Sequence, residues 1–268
     1  MSAVRLGAKY IAKPWGREDI RPFANPSRER VGEIWFDGPV EARPPLLVKY
    51  IFTNENLSIQ VHPTDAEAQA VGLPGGKSEC WYVLDAEPGA TLGIGTKRPL
   101  DREALRASAL DGTLASLIDW KPVQAGSLFY IPAGTVHAIG GGVTLVEVQT
   151  NNDVTYRLFD YGRPRELHLD AGVAVSRAQP YSLPERVVPT GQNCTLLDQS
   201  QDAPFTLSMR YLEEGETLLL ECEQSWFIPL TGSGTVGQSP WQAQQCWLIE
   251  DTAEFIAKSG TTALIATV

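Results

Sequence analysis

The sequence predicts an all-β protein, an antiparallel sandwich or barrel accompanied by a few short helices. Three observations carry that prediction. The 268 residues are punctuated by 24 glycines and 19 prolines, the stretches between them are short apolar runs, and helical periodicity is sparse. In chain order, the runs at 46–52, 57–61, 80–84, 127–131 and 143–149 read as strands. Thr64 and Asp65 can cap a short helical turn that ends at Gly72. Residues 101–110, followed by Leu114, Leu117 and Ile118, space apolar side chains three and four apart, as a helix does. A loop-like stretch at 177–202, with Gln179-Pro180, Leu183-Pro184 and Pro189-Thr190-Gly191, is expected to divide a domain at 1–180 from a second at 181–268. Beyond it, runs at 205–212, 217–222, 226–230, 246–249 and 263–267 repeat the strand pattern, and Trp226, Trp241 and Trp247 are expected to serve a core or an interface.

Charge and composition narrow the function. With 22 Lys+Arg against 32 Asp+Glu the chain carries a net charge of −10, which excludes a general nucleic-acid or anionic-membrane binder, because both need a basic face. A hydrophobic share of 43% with 20% charged residues supports a sizeable core. No apolar run approaches the ~18 residues of a membrane span, and the first residues lack the apolar stretch of a secretory signal, so a cytoplasmic location is expected. Cys80, Cys194, Cys222 and Cys246 show no metal-ligand spacing and read as ordinary thiols. The three histidines, His62, His137 and His168, all lie in the first block. A duplicated second block would therefore lack their chemistry and is expected to cover and stabilise the first.

Residues 57–62 alternate strictly. In a strand, Leu57, Ile59 and Val61 share one face and Ser58, Gln60 and His62 the other, a pattern that an ordinary half-buried strand also gives. Gly126, Pro132, Gly134 and His137 follow the more specific spacing G-x5-P-x-G-x2-H. Gly126 permits a tight turn into the strand and Pro132-Ala133-Gly134 turns the chain sharply at its end, which aims His137 back inwards. This spacing resembles the second sequence motif of the cupin superfamily, small antiparallel barrels of the jelly-roll type that hold a metal in their mouth. The resemblance implies two cupin-like barrels here, of which only the first carries ligands. The first cupin motif is altered: Gln60-x-His62 stands for His-x-His, and the next strand-borne acid is Glu79, on one face with Trp81 and Val83. An acid on an apolar strand face needs a partner, and a divalent cation supplies one. Gln60, His62, Glu79 and His137 form a candidate ligand set that suits zinc, with Mn, Fe, Co or Ni also compatible. His168, among alternating apolar residues, reads as structural.

Seven segments in order carry a closer resemblance: Lys13-Pro14-Trp15-Gly16, Val31-Gly32-Glu33-Ile34-Trp35, Leu47-Val48-Lys49, Ser58-Ile59-Gln60-Val61-His62-Pro63, Lys77-Ser78-Glu79, Pro132-Ala133-Gly134-Thr135-Val136-His137 and Asp153-Val154-Thr155-Tyr156-Arg157. Over roughly residues 10–170 the chain resembles type I mannose-6-phosphate isomerases (phosphomannose isomerases) in their compact bacterial form. The resemblance implies one zinc ion held by Gln60, His62, Glu79 and His137, an active-site arginine at Arg157, and further pocket residues at Lys49, Ser58, Lys77, Glu147 and Asp153. Three features depart from the family. There is no room for the inserted helical domain of long members, Gly76 stands where they often carry a histidine, and Gly141 replaces the Asn that often follows cupin motif two.

The activity so implied interconverts mannose 6-phosphate and fructose 6-phosphate through a cis-enediolate, with a sugar phosphate as partner. Arg157 with Lys49 or Lys77 could bind phosphate or polarise the substrate. Glu147 and Asp153 are candidate bases for the carbon-bound proton, and Lys77 is another if desolvation lowers its pKa. Two other functions fit the same motifs: a different metal-dependent cupin enzyme, either an oxygenase or an isomerase of another sugar phosphate, or a non-catalytic sugar-binding cupin.

Overall fold

In the computed structural model, which describes residues 3–26, 28–38, 44–221 and 223–268, the strands stack as four antiparallel sheets. The first part of the chain contributes β1 (Ala3–Arg5), β2 (Gly7–Arg17), β3 (Val31–Asp37), β4 (Leu46–Phe52), β5 (Ile59–Val61), β6 (Glu79–Ala86), β7 (Thr91–Thr96), β8 (Ile118–Pro122), β9 (Ser127–Ile131), β10 (His137–Ile139), β11 (Val143–Thr150) and β12 (Tyr156–Phe159). The second contributes β13 (Arg186–Val187), β14 (Cys194–Leu197), β15 (Thr206–Leu212), β16 (Thr217–Glu221), β17 (Ser225–Pro229), β18 (Ser233–Val236), β19 (Ser239–Gln242), β20 (Trp247–Ile249), β21 (Thr252–Ala257) and β22 (Thr261–Thr267).

A seven-stranded sheet, β13-β9-β6-β11-β4-β3-β2, faces a five-stranded one, β12-β5-β10-β7-β8. Within this pair, strands β4 to β11 are shared between the sheets in the jelly-roll order, with β7 and β8 adjacent in the five-stranded sheet. A six-stranded sheet, β1-β20-β17-β22-β15-β14, and a four-stranded one, β16-β21-β18-β19, repeat that order with β15 to β22. The expected closed barrels are not formed. The outermost strands of facing sheets do not pair, and β2, β3 and β13 widen one sheet alone, so each unit is an open sandwich. Two short strands cross between units: β1 pairs with β20, and β13 with β9.

Period-two alternation fills the layers between sheets. On β6, Trp81 and Val83 point into the first sandwich, where they meet Leu92, Ile94, Phe129 and Leu145. Cys80 and Tyr82, one residue out of phase, point the other way, into a core shared with Phe205 and with Leu207, Met209 and Trp226 of the six-stranded sheet. The two units are thus joined sheet to sheet through an apolar layer. Inside the second sandwich, Phe227 stacks on Phe255 at 4.1 Å and meets Trp241 edge-on, with Trp247 beside them. Aromatic rings there occupy the inter-sheet space that holds polar residues in the first unit.

The helices are short. Thr64 caps α1 (Asp65–Gln69) through a full capping box with Glu67, and the turn ends at Gly72 with φ +79°. Asp101 caps α2 (Arg102–Asp111), and Gly112 closes it in the left-handed conformation. The apolar spacing past that glycine belongs to α3 (Leu114–Leu117), with Ile118 opening β8. The fourth, α4 (Leu169–Val175), begins just after His168. Leu105, Ala109 and Val173 pack against Ile59, Val61, Val136 and Leu158 on the outer face of the five-stranded sheet. Cys80 and Cys246 are buried, Cys194 is half-buried and all three are free thiols, whereas Cys222 lies outside the described residues. Among the described residues no helix is long and apolar enough to cross a membrane.

Because Trp226 is fully buried in the layer between units, Trp226→Ala should cost about 3–5 kcal/mol and lower a single shared unfolding transition. Urea unfolding followed by fluorescence and by circular dichroism checks this through coincident, shifted midpoints.

Candidate functional site

A cavity of about 200 Å³ opens between the two sheets of the first sandwich. Its wall is set by register. On the five-stranded sheet, Arg157 lies opposite Gln60, and Gln60 opposite His137, so these three form one row across β12, β5 and β10. On the facing sheet, Glu147 sits between Lys49 and Trp81 on neighbouring strands. Ile59 and Val61 face the helices, which turns Ser58, Gln60 and His62 inwards. Leu57 departs from the alternation and packs in the inter-sheet core with Trp15 and Ile51.

His62, Glu79 and His137 converge, each about 1% exposed, with ligand-type atoms within 4.8 Å of one another. His62 Nε2 is 3.1 Å from Glu79 Oε1, and His137 Nε2 is 3.8 Å from Glu79 Oε2. The outer ring nitrogens fix the tautomers. His62 Nδ1 lies 2.7 Å from the Val154 carbonyl and His137 Nδ1 2.9 Å from that of Thr135, so each Nδ1 carries the proton and each Nε2 is an acceptor. His62 Nε2 and both Glu79 oxygens have no hydrogen-bond partner. Lys77 Nζ stands 2.8 Å from Glu79 Oε1 but outside hydrogen-bond geometry. A neutral imidazole acceptor and a carboxylate, buried and turned towards one another with no hydrogen bond on His62 Nε2 or on either Glu79 oxygen, fit a cation. The amide of Gln60 adjoins this group, with Nε2 3.3 Å from His137 Nε2, while its oxygen takes a hydrogen bond from Ser58 at 3.2 Å. Gln60 would need a half-turn of its amide to offer oxygen to the same cation.

Charges alternate along the floor. Lys49 Nζ is 3.2 Å from Glu147 Oε1, whose other oxygen accepts from Trp81 Nε1 at 2.9 Å. Lys49 also lies over the Trp35 ring, and Trp35 donates to Glu33, which pairs with Lys13 at 3.1 Å. Burial would raise Glu33, but the Lys49 and Lys13 charges outweigh it and hold its carboxyl below the usual range. Burial pushes Glu147 upwards, and the negative charge of Glu79 adds to the shift. Glu79 moves the other way: burial opposes its ionisation, yet Lys77 and the imidazoles hold it well below the ordinary carboxylate value. Burial alone would lower Lys77, but Glu79 and Glu147 reverse the sign and hold its ammonium above the ordinary lysine range. Arg157 is pushed down by burial and then by the Arg165 charge. Asp153 lines the cavity at an exposed position.

Sequence reasoning assigned no role to Lys13, Glu33 or Arg165, all of which line the cavity. A glutamate inside the apolar run 31–36 was the available signal for Glu33, the same signal that singled out Glu79. His168 supports Arg157 from behind: its Nδ1 accepts the Arg157 backbone N–H at 3.1 Å, and its own N–H returns a bond to the Arg157 carbonyl. At Gly76 a Cβ would lie 2.3 Å from the Pro63 carbonyl oxygen and 2.4 Å from the Thr64 carbonyl carbon. The backbone leaves no place for the histidine that long relatives often carry there.

The arrangement is a two-sandwich β protein with a buried histidine–carboxylate cluster facing a cation-rich cavity, and its likeness to known proteins is specific. No protein-family model matches the chain. The chain is 41% identical over 137 residues to a mannose-6-phosphate isomerase from Streptococcus mutans, covering 49% of this chain and 43% of that protein. It is 40% identical over 150 residues to the mannose-6-phosphate isomerase ManA of Bacillus subtilis, covering 53% and 46%. The matched part spans about half the length of these curated relatives. A crystal structure of the mannose 6-phosphate isomerase from Bacillus subtilis superposes over 100% of both chains with a TM-score of 0.78 at 22% identity. A variant of phosphomannose isomerase from Salmonella typhimurium does so over 100% of this chain and 99% of that one, at 0.76 and 15%. The chain therefore resembles type I mannose-6-phosphate isomerases in sequence over its matched half and shares their fold throughout.

Two outcomes test the site. Burial pushes His62 down from 6.5 to about 3, so between those values the unfolded chain binds a proton that the native chain excludes. Stability of chelated protein should fall as pH drops through this window, by up to about 1.4 kcal/mol per pH unit for this group. His62→Gln should remove this group's share of the slope and leave that of His137, which burial also pushes down; urea midpoints against pH give the measurement. Gly76→Ala, whose new methyl would meet the backbone of residues 63–65, should destabilise by about 1–3 kcal/mol, read as a lower urea midpoint.

Proposed function

We propose that the protein is a zinc-dependent aldose–ketose isomerase that interconverts D-mannose 6-phosphate and D-fructose 6-phosphate. The observation that carries this reading is the buried His62–Glu79–His137 cluster, whose neighbours Gln60 and Lys77 line a cavity that also presents Lys49 and Arg157, in a chain with isomerase relatives. Gln60, His62, Glu79 and His137 would hold one zinc ion, a donor set of two imidazoles, one carboxylate and one amide that suits a d10 metal. Bound there, zinc would supply Lewis-acid polarisation of the sugar's carbonyl and hydroxyl oxygens without redox change. We also place both units among the cupins, with residues 1–180 as the catalytic domain and 181–268 as a ligand-free second domain tied to it by β1 and β13.

The chain's own residues divide the remaining work. Arg157 and Lys49 orient the anionic substrate, and Lys77 stays an ammonium against Glu79 and donates to a sugar oxygen. Ser58 holds the Gln60 amide. Glu147 is the proposed proton carrier: it takes the proton from C2, leaving the cis-enediolate, and returns it to C1 on the same face, while the O2 hydroxyl proton passes to O1. Burial and the neighbouring Glu79 raise its affinity for that proton. Asp153, exposed at the cavity wall, is assigned to substrate contact near the opening.

A coupled assay from mannose 6-phosphate, run with and without chelator alongside metal analysis, tests the reading as a whole; full activity in zinc-free protein would remove the metal from it. Glu147→Gln should lower kcat by about 10²–10⁴-fold with metal content and KM little changed. Arg157→Ala should abolish most turnover with zinc still bound, and near-normal activity would remove Arg157 from the reaction.

A further inference from the structure

The turn after β12 places two cations on one buried acid. Tyr161 and Gly162, at φ +54° and +79°, reverse the chain, and the Arg163 N–H bonds back to the Asp160 carbonyl. Asp160, only 2% exposed, then receives Arg165 in a fork: Nε donates to Oδ2 at 2.6 Å and Nη2 to Oδ1 at 2.7 Å. Arg163 Nη1 shares Oδ1 at 3.1 Å, while its Nη2 turns away to Glu55 and the Asn56 carbonyl. Arg163 is therefore spent on the scaffold. Arg165, in contrast, lines the cavity beside Arg157, and Arg157 Nη1 is buried there without a partner. A guanidinium N–H that is shielded from water and unpaired is costly to keep. A second guanidinium facing the same space raises that cost, unless an oxyanion enters between them.

We propose that Arg165 is a second substrate-binding cation, which with Arg157 seats the phosphoryl group of the sugar phosphate, and that Asp160 is the positioning residue that holds Arg165 in place. This rests on the proposed sugar-phosphate substrate only for the identity of the anion's carrier; the seat itself is for a tetrahedral oxyanion. Glu55 pairs with Arg163 on its far side, and the Asp160 fork fixes the plane of Arg165.

The zinc-loaded protein provides the test, with inorganic phosphate as a direct probe by calorimetry and mannose 6-phosphate as the kinetic one. Arg165→Gln should weaken phosphate binding and raise KM by about 10–100-fold, equivalent to roughly 1.4–2.7 kcal/mol, with kcat within about threefold. Asp160→Ala should show the same split, and in the Arg165→Gln background it should add nothing further, because it acts through Arg165. A residue needed only for folding would instead lower the melting temperature and active fraction without changing KM. Unchanged phosphate affinity in Arg165→Gln overturns the proposal, and so does tighter phosphate binding in Asp160→Ala, which would mean that Asp160 only subtracts charge. If phosphate binding falls in Arg165→Gln but no variant or parent turns over mannose 6-phosphate, the anion seat stands and the isomerase reading fails.

Discussion

Glu79 is a carboxylate taken out of water, with two imidazoles and an ammonium around it and no hydrogen bond to either oxygen. Removing such a group from water costs several kcal/mol unless opposite charge is close. Much of the first sandwich is arranged around that constraint. Lys77 is brought to Glu79 by a segment clamped at Gly76, whose N–H bonds to Asp65 and whose carbonyl accepts from Thr150 and Asn152. The imidazoles are turned by backbone carbonyls so that only acceptors face inwards. Lys49 and Glu147 continue the alternation outward, so that each buried charge has its opposite as a neighbour.

The same constraint explains how an acidic chain can offer a cationic cavity. The net charge of −10 resides mainly outside the site, whereas the cavity wall gathers Lys13, Lys49, Lys77, Arg157 and Arg165 against Glu33, Glu147 and Asp153. Electrostatic attraction of a small anion depends on local charge and on the low polarisability of the walls, and the sum over the molecule is a poor guide to it.

Much of the site was legible because it was written in short strands and tight turns. The alternation around Gln60 and His62, the acid at the head of β6, and the Gly126-to-His137 spacing each specify a face or a direction. Together they name the residues that converge. The fold class was legible for the same reason, from glycine and proline spacing. Closure was not: whether two sheets join at their edges depends on pairing between strands far apart in sequence, and β1 and β13 cross between units with no local signal. Arg165 was equally hidden, since its direction comes from the turn at Tyr161 and Gly162 and from a carboxylate five residues earlier. Gly76 read as a missing histidine in the sequence; in three dimensions it is a point where two backbones touch.

The core between the units carries a consequence for how the chain can be divided. Strands β4, β6 and β11 present the site on one face and Val48, Tyr50, Cys80, Tyr82, Val146 and Val148 on the other, all covered by the six-stranded sheet. A fragment ending near residue 180 would keep the histidine–carboxylate cluster, yet it would expose that whole apolar face to water. Such a fragment is expected to associate through the bared sheet rather than to remain a monomer. The histidine-free unit thus backs the floor of the cavity, one residue removed from Lys49, Glu79 and Glu147.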